Sequence, residues 1–344
     1  MAKKTTQLPK LDRRRLEKIL KGFANVRLLV VGDVVLDEYL RGDAERVSPE
    51  APVPVVHVQG ESIVLGGAGN VVRNVVALAG GCEFSSVVGE DDDGQRVVTL
   101  LEDLGVDAGG VVRASDRPTT RKTRVVARGQ QIVRVDRESQ SPISLGTMKD
   151  LLAGLDVRLA SVGGAILEDY GKGLLAPTAA RKIVARCAKA NVPVCVDPKS
   201  DLKSFKGVAL VKPNLREAEL LTGIRATDPA ALDRIAKKLR GAVGDADLAI
   251  TRGGEGMSLF FSHGERIDVA TSHQEVFDVQ GAGDTTIAIL ALARAAGANM
   301  IEAAVLANAG AGVVVEKAGT ATATRDEIAA RLPSALATAR EGLA

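Results

Sequence analysis

A single carboxylate follows a glycine-rich turn near the end of the chain, in VFDVQGAGDTT at 276–286. Gly281, Ala282 and Gly283 have no bulky side chains, so their backbone N–H groups can face an anion where an apolar helix begins. Asp284 comes directly after them. A carboxylate beside an anion hole predicts phosphoryl transfer, in which the aspartate orients and deprotonates the nucleophile.

Two further expectations concern Asp284. Aspartate is also a common N-cap residue, although capping does not explain the flanking glycines. A helix N-terminus stabilises a carboxylate, so this position predicts a weak base. Phosphoryl transfer tolerates a weak base because the attacking hydroxyl loses its proton late.

Polar residues also follow several predicted strands, where an open α/β sheet binds its ligands. In NLRE, Asn214 and Glu217 suit either water-mediated contact with a metal-bound phosphate or a helix capping box. The glycine turn TRGGEG at 251–256 fits nucleotide contact and an ordinary β-turn equally well. The remaining candidates suit a ligand rich in hydroxyl and anionic groups, with solvated loop charges as the alternative: Asp33, Asp37, Gly66, Gly67, Asn70, Asp169, Lys172, Asp197 and Lys199.

The composition argues against several classes of function. The chain has 344 residues, 46% of them apolar, and a net charge of only +2, so neither nucleic acid nor a membrane is expected as a partner. Three scattered cysteines favour a reducing, cytoplasmic compartment over a disulfide framework. His57, His263 and His273 show no metal-ligand spacing.

Short runs of Val, Leu and Ile alternate with helical patterns over most of the chain. This order predicts an α/β fold with a doubly wound, mostly parallel sheet flanked by helices. Charged, strand-like regions at about 43–60 and 117–137 predict a small β-sheet lid, or alternatively a fixed edge extension. The second region looks like a hairpin that turns near Arg128-Gly129. We expect a basic leader helix over 1–24 and a single domain over 25–344.

Three motifs in this order, GGAGN at 66–70, NLRE at 214–217 and DVQGAGD at 278–284, resemble those of the ribokinase-like (PfkB) carbohydrate kinases. The resemblance spans about 25–330. It implies a Rossmann-like body, a β lid, and ATP with Mg²⁺. It implies these roles: Asp284 as catalytic base; Gly281, Ala282 and Gly283 as anion hole; Asp37, Gly66, Gly67 and Asn70 at the sugar; Asn214 and Glu217 near Mg²⁺, Glu217 through water; and Thr251, Gly253, Gly256 and Asn308 near the nucleotide.

A narrower resemblance is carried by segments 30–56, 122–136 and 166–173. They are similar to the family members that phosphorylate D-glycero-β-D-manno-heptose 7-phosphate at O1, on the way to ADP-heptose for lipopolysaccharide. That substrate already carries a phosphate, and the matching segments offer three cations for it: Arg124, Arg128 and Lys172. Some such relatives carry a fused nucleotidyltransferase with an H-x-G-H motif, which is absent from this sequence, so the kinase alone is expected.

Two residues depart from the family pattern. Gln280 stands where threonine is usual, and Glu168 where serine is common, which predicts altered rate or substrate choice. The rival functions are another PfkB-type sugar or sugar-phosphate kinase, and a non-catalytic sugar- or nucleotide-binding regulator. The intact Gly-Ala-Gly-Asp counts against the regulator. Strands exposed in the lid would favour a homodimer.

Overall fold

The computed structural model describes residues 11–199, 201–272 and 276–343. His273 and the first ten residues of the expected leader lie outside the described residues. The strands are β1 (Arg27–Gly32), β2 (Val34–Val47), β3 (Pro54–Gly67), β4 (Gly81–Gly89), β5 (Val111–Ala114), β6 (Arg121–Ala127), β7 (Gln130–Arg137), β8 (Gly164–Glu168), β9 (Val194–Asp197), β10 (Leu210–Val211), β11 (Asp247–Thr251), β12 (Met257–Phe260) and β13 (Arg266–Val269).

The helices alternate with the strands. They are α1 (Arg13–Gly22), α2 (Ala68–Ala77), α3 (Asp92–Asp103), α4 (Leu145–Leu159), α5 (Pro177–Lys189), α6 (Leu215–Thr222), α7 (Pro229–Val243), α8 (Ala282–Ala295), α9 (Met300–Val315) and α10 (Arg325–Leu343). In the described ranges no helix is long and apolar enough to cross a membrane.

The large sheet has the order β13-β12-β11-β10-β9-β8-β1-β4-β5. Its strands from β11 to β5 pair in parallel, and β12 and β13 add an antiparallel edge. The apolar strand residues belong to two separate cores, and each core also contains helix residues. Helices therefore cover both faces of the sheet. The predicted α/β fold with a doubly wound, mostly parallel sheet is confirmed.

Side-chain alternation decides which strand ends share a face of the sheet. Ile166, Cys195 and Leu210 lie in the core that also contains the apolar residues of α8. Their neighbours Leu167, Val196 and Val211 lie in the opposite core, with α4, α5 and α7. The residues two positions after the first set are Glu168, Asp197 and Lys212, so these three charged side chains are brought to the α8 face.

A separate four-stranded sheet has the order β3-β2-β6-β7. β2 pairs antiparallel with β3 and parallel with β6, and β6 and β7 form a hairpin whose turn is at Arg128 and Gly129, as predicted. β2 begins at Val34, with only Asp33 between it and the end of β1, and β3 runs directly into α2 at Ala68. The small sheet is therefore attached where the large sheet presents the ends of its central strands.

Candidate active site

Asp284 is the centre of a buried polar cluster in the first turn of α8. Its side chain is only 5% exposed. Asn70, on α2, donates its amide Nδ2 to Asp284 Oδ2 at 2.6 Å, and the Tyr170 hydroxyl donates to Oδ1 at 2.9 Å. Both carboxylate oxygens are therefore held by donors from two other elements, which fixes the orientation of the group.

The N-cap of α8 is Gly281, not Asp284, and no side chain caps this helix end. Gly281 has a φ of 78°, which favours glycine, and a Cβ at this position would lie 2.8 Å from Asn70 Nδ2. Capping therefore does not account for Asp284, and within the described part of the chain no side chain caps the first backbone N–H groups of α8.

The expectation of a weak base is wrong. Burial raises the pKa of Asp284 to about 6, although the hydrogen bonds from Asn70 and Tyr170 and the charge of Lys212 act to lower it. Helix polarity is outweighed because removing a carboxylate from water disfavours its charged form. A carboxyl with this pKa has the proton affinity that a general base needs near neutral pH.

Three ionisable side chains, Lys212, Asp197 and Glu168, lie near the start of α8. The Lys212 ammonium lies 2.5 Å from Asp197 Oδ2, and both side chains are buried. Glu168 is buried beside them, and its Oε2 has no hydrogen-bond partner among the described residues. Burial, and then the charges of Asp197 and Asp284, raise the pKa of Glu168 well above its usual value.

Two of the predicted sugar-binding carboxylates hold loops. Asp33 accepts backbone N–H groups of Tyr170, Lys172 and Leu174 at 3.0 to 3.1 Å. Asp169 accepts the N–H groups of Gly171 and Lys199 at 2.9 and 3.1 Å. Both are buried at the sheet edge, and they fix the loop that carries Tyr170. Their contact with a substrate stays a prediction.

Asp37 faces the site from the small sheet. A Cβ on Gly66 would lie 1.9 Å from Asp37 Oδ2, so the carboxylate can occupy this place only above a glycine. Arg124, on the neighbouring strand, pairs with Asp37 Oδ1 at 2.5 Å. Tyr39 stacks between Arg124 and Arg41, with guanidinium carbons 5.2 and 4.9 Å from the ring centroid. This part of the small sheet therefore offers a carboxylate and two cations.

The small sheet also contacts the residue that precedes the glycine turn of α8. The Tyr39 hydroxyl donates to Gln280 Oε1 at 3.1 Å. Gln280 is the residue before the Gly-Ala-Gly turn, so this departure from the family pattern supplies a hydrogen bond between the small sheet and the segment that leads into α8.

The cations expected at a remote phosphate lie in different places. Lys172 pairs with Glu138 Oε1 at 2.7 Å, and Lys122 pairs with the same carboxylate at 3.0 Å. Burial alone would raise the pKa of Glu138, but these two hydrogen bonds lower it to about 2. Arg128 is exposed at the hairpin turn, 3.9 Å from Asp43, at the opposite end of β6 from Arg121. The structure does not bring Arg128 beside Lys172.

A cavity of about 460 Å³ opens beside the start of α8. It brings together predicted nucleotide residues from distant segments with the glycine turn: Thr251, Gly253, Gly256, Ala282, Gly283 and Asn308. Asn308 also donates its side-chain amide to Val269 O at 3.1 Å. A second cavity of about 880 Å³ shares Thr251 and Gly253 and extends to Asn214. Both cavities therefore meet at the end of β11.

Asn214 and Glu217 form the capping box of α6. The Asn214 side chain accepts the Glu217 N–H at 2.8 Å, and the Glu217 side chain accepts the Asn214 N–H at 3.0 Å. Glu217 Oε1 also lies 3.4 Å from Lys199 Nζ. The capping alternative is thus present, and a water-mediated metal contact by Glu217 stays a prediction.

Sequence reasoning missed several residues of this site. Lys212 ends the apolar run before Pro213-Asn214, and a charge closing a buried strand was the available signal. Tyr170 lies within segment 166–173, which carries the narrower resemblance, but the sequence assigned it no role. Arg73 donates from one nitrogen to Asn70 Oδ1 at 3.0 Å and to Thr320 O at 2.8 Å, so it orients the amide that holds Asp284.

The fold, with a buried carboxylate after a glycine turn at the carboxyl edge of its sheet, is that of a carbohydrate kinase. The model of the pfkB family carbohydrate kinases matches residues 26–327. The chain belongs to this family, as the sequence motifs predicted.

Curated relatives are similar over most of this chain. The bifunctional protein HldE of Trichlorobacter lovleyi is 43% identical over 295 residues, which cover 86% of this chain and 60% of the relative. The bifunctional protein HldE of Caulobacter vibrioides is 45% identical over 287 residues, or 83% of this chain and 59% of the relative. The chain therefore spans about 60% of the length of the curated relatives that it matches.

Solved structures share the fold at lower identity. Ribokinase of Arabidopsis thaliana complexed with ribose and ATP has a TM-score of 0.71 and 20% identity, covering 89% of this chain and 98% of its own. Phosphofructokinase-2 of Escherichia coli in complex with potassium has a TM-score of 0.74 and 19% identity, covering 90% and 99%. These structures confirm the ribokinase-like architecture.

Proposed function

We propose that this protein transfers the γ-phosphoryl group of ATP to O1 of D-glycero-β-D-manno-heptose 7-phosphate. The product would be the 1,7-bisphosphate, a precursor of ADP-heptose for lipopolysaccharide. The observation that carries the phosphoryl-transfer part is the Asp284 carboxylate, buried and held by Asn70 and Tyr170 directly after a glycine turn that begins a helix. The substrate assignment is supported by family membership, by HldE relatives above 40% identity, and by the resemblance of segments 30–56, 122–136 and 166–173.

In this proposal the O1 hydroxyl attacks the γ-phosphorus in line with the leaving ADP. The new O1–P bond forms as the bond from phosphorus to the bridging oxygen of ADP breaks, and Asp284 takes the hydroxyl proton. The N–H groups at the start of α8 stabilise the negative charge on the transferring group. The small sheet closes over the site and excludes water.

The two cavities at the end of β11 place ATP in this proposal. The cavity at the start of α8 has an apolar lining with a few polar groups, including Thr251 and Asn308, which suits a nucleotide base and ribose. The chain's described residues contain no cluster of three His, Cys, Asp or Glu that could hold a metal directly. In this proposal Mg²⁺ is bound mainly by the ATP phosphates, and Glu217 contacts it through water. When bound, Mg²⁺ would neutralise charge on the phosphates.

We also propose a cytoplasmic homodimer. Both edge strands of the small sheet leave valines exposed: Val58 on β3 is 45% exposed, and Val133 and Val135 on β7 are 47% and 57% exposed. Unpaired edges with apolar side chains favour pairing with a second copy. The expectation that neither nucleic acid nor a membrane is a partner stays part of the proposal.

A coupled assay of ADP release over a panel of sugars and sugar phosphates tests the function. We expect heptose 7-phosphate to give the highest kcat/KM, and analysis of the product to place the new phosphate on O1. A higher value with a hexose, pentose or other sugar phosphate would support the first rival. Binding without ADP release for every compound would support the non-catalytic regulator.

We predict that the small sheet becomes more protected when the sugar phosphate binds. Its strands are attached to the body mainly through the start of β2 and the end of β3, which permits hinge motion. Amide hydrogen exchange should slow in β2, β3, β6 and β7 on adding the substrate, and change little in the buried strands β8 and β9. Equal exchange with and without substrate would indicate a fixed extension.

We predict that Lys172→Ala weakens binding of the phosphorylated sugar. Lys172 lies 2.7 Å from Glu138, and Lys122 stays on that carboxylate in the variant, so the fold should survive. A lost hydrogen bond to a charged group costs about 1.5–3 kcal/mol, or roughly tenfold to a hundredfold in KM. The internal control is the same heptose without its 7-phosphate, for which KM should not change. Equal weakening of ATP and sugar phosphate would remove Lys172 from the phosphate site.

A further inference from the structure

Lys212 is a buried cation that no role in the proposed reaction yet explains. Its side chain is 2% exposed, less than the 5% of Asp284. Removing an ammonium from water costs several kcal/mol, and apolar residues of similar volume usually replace a buried ion pair without loss of stability. Stability alone is therefore a weak reason for a lysine at this position.

The Lys212 ammonium lies against the first turn of α8. A Cβ on Gly283 would be 3.6 Å from Lys212 Nζ and 4.0 Å from Asp197 Oδ2. The pair of Lys212 and Asp197 thus lies against the same turn whose residues Ala282 and Gly283 line the cavity. Glycine at 283 leaves the space between the ammonium and that turn unfilled.

Asp197 orients the ammonium of Lys212 but does not occupy all of its hydrogen-bond donors. Lysine carries three N–H donors, and the 2.5 Å contact with Asp197 Oδ2 uses one of them. Burial alone would lower the pKa of Lys212, but the charges of Asp197 and Glu168 outweigh burial and raise it, so the ammonium keeps its charge. The side chain is therefore a fixed cation with donor capacity left.

We infer that Lys212 is a further catalytic residue, whose ammonium contacts the phosphoryl group during transfer while Asp197 positions it. The inference rests on the function proposed above. In the transition state, negative charge spreads over the three equatorial oxygens of the transferring group. A cation already in place in a water-poor site stabilises that charge without reorganisation.

A double-mutant cycle tests the role. We expect Lys212→Met to lower kcat by about 10²–10³, the usual effect of removing one such donor, and to change KM much less. The loss should persist when Lys212→Met is made in an Asp197→Asn background, where the carboxylate that pairs with Lys212 is already absent. If Lys212→Met has no effect on kcat in that background, the lysine only neutralises Asp197 and the inference is wrong.

Binding of a transferring-group mimic gives a second readout. ADP with aluminium fluoride, in the presence of Mg²⁺ and the sugar phosphate, should bind the Lys212→Met/Asp197→Asn variant at least tenfold more weakly than Asp197→Asn. ADP alone should bind both equally. Equal weakening of both ligands would mean that Lys212 only shapes the nucleotide site. Lys206→Met, at an exposed position, is the control, and melting temperatures confirm that each variant is folded.

Measurements on the wild-type protein distinguish a failure of the proposed function from a failure of the Lys212 inference. If wild-type protein releases ADP with a different sugar, the substrate proposal fails, and the Lys212 cycle is measured and judged with that sugar. If wild-type protein releases ADP with no sugar of the panel, the proposed function and this inference fail together.

Discussion

Asp284→Asn should lower kcat by about 10²–10⁴, because the variant keeps the shape of the side chain but loses the group that accepts the hydroxyl proton. The amide can still accept from Asn70 with its oxygen and donate to the Tyr170 hydroxyl with its nitrogen, so the buried cluster stays bonded. ATP affinity should hold or rise, since a negative charge near the γ-phosphate is removed. Steady-state kinetics and the melting temperature, measured together, check this.

The matched control for this substitution is Asp92→Asn. Asp92 also lies in the first turn of a helix, α3, but its side chain is exposed. We expect this variant to keep its kcat and its melting temperature. A stable Asp284→Asn protein with a kcat near that of the wild type would take Asp284 out of the mechanism.

The rate should also depend on pH through Asp284. Because burial raises the pKa of this carboxyl to about 6, the active, deprotonated form is lost as the pH falls through that value. We expect kcat/KM, which reports the free enzyme, to fall about tenfold per pH unit on the acid side and to level off above it. A profile that stays flat down to pH 5 would contradict the assignment.

The variant Tyr170→Phe provides a second test that the pH dependence comes from Asp284. The Tyr170 hydroxyl donates to Asp284 Oδ1 and stabilises the charged carboxylate, so its removal should raise the pKa of Asp284 and move the acid limb to higher pH. Tyr39→Phe is the comparison, since the Tyr39 hydroxyl bonds to Gln280 instead. In that variant the acid limb should stay where it is in the wild type.

The sequence predicted the position of Asp284 better than its proton affinity. The glycine turn followed by an apolar pattern was enough to place Asp284 in the first turn of a helix. Its proton affinity was mispredicted because helix polarity can be inferred from one segment, whereas burial depends on packing against distant parts of the chain. Those parts include the segments that carry Asn70 and Tyr170, 214 and 114 residues away.

Long-range pairing explains the other differences between expectation and structure. Lys172 and Asp169 share a short motif, so both suggested ligand contacts. Yet Asp169 holds two loops, and Lys172 pairs with Glu138, 34 residues earlier. Lys212 was not predicted as a site residue, because its place beside Asp197 depends on how side chains alternate along the neighbouring strands β8, β9 and β10. The doubly wound sheet itself was predictable, because each strand and helix carries its own apolar pattern.

The direct junction between β3 and α2 limits how this enzyme can be re-engineered. Gly67 ends the strand and Ala68 begins the helix, with no loop between them, and Asn70 lies in the first turn. One residue inserted there would turn Asn70 by about 100° around the helix axis if the strand kept its pairing. If instead the helix kept its packing, the inserted residue would exchange the two faces of β3. Small sheets from other kinases can therefore be grafted here only when strand register and helical phase are matched together.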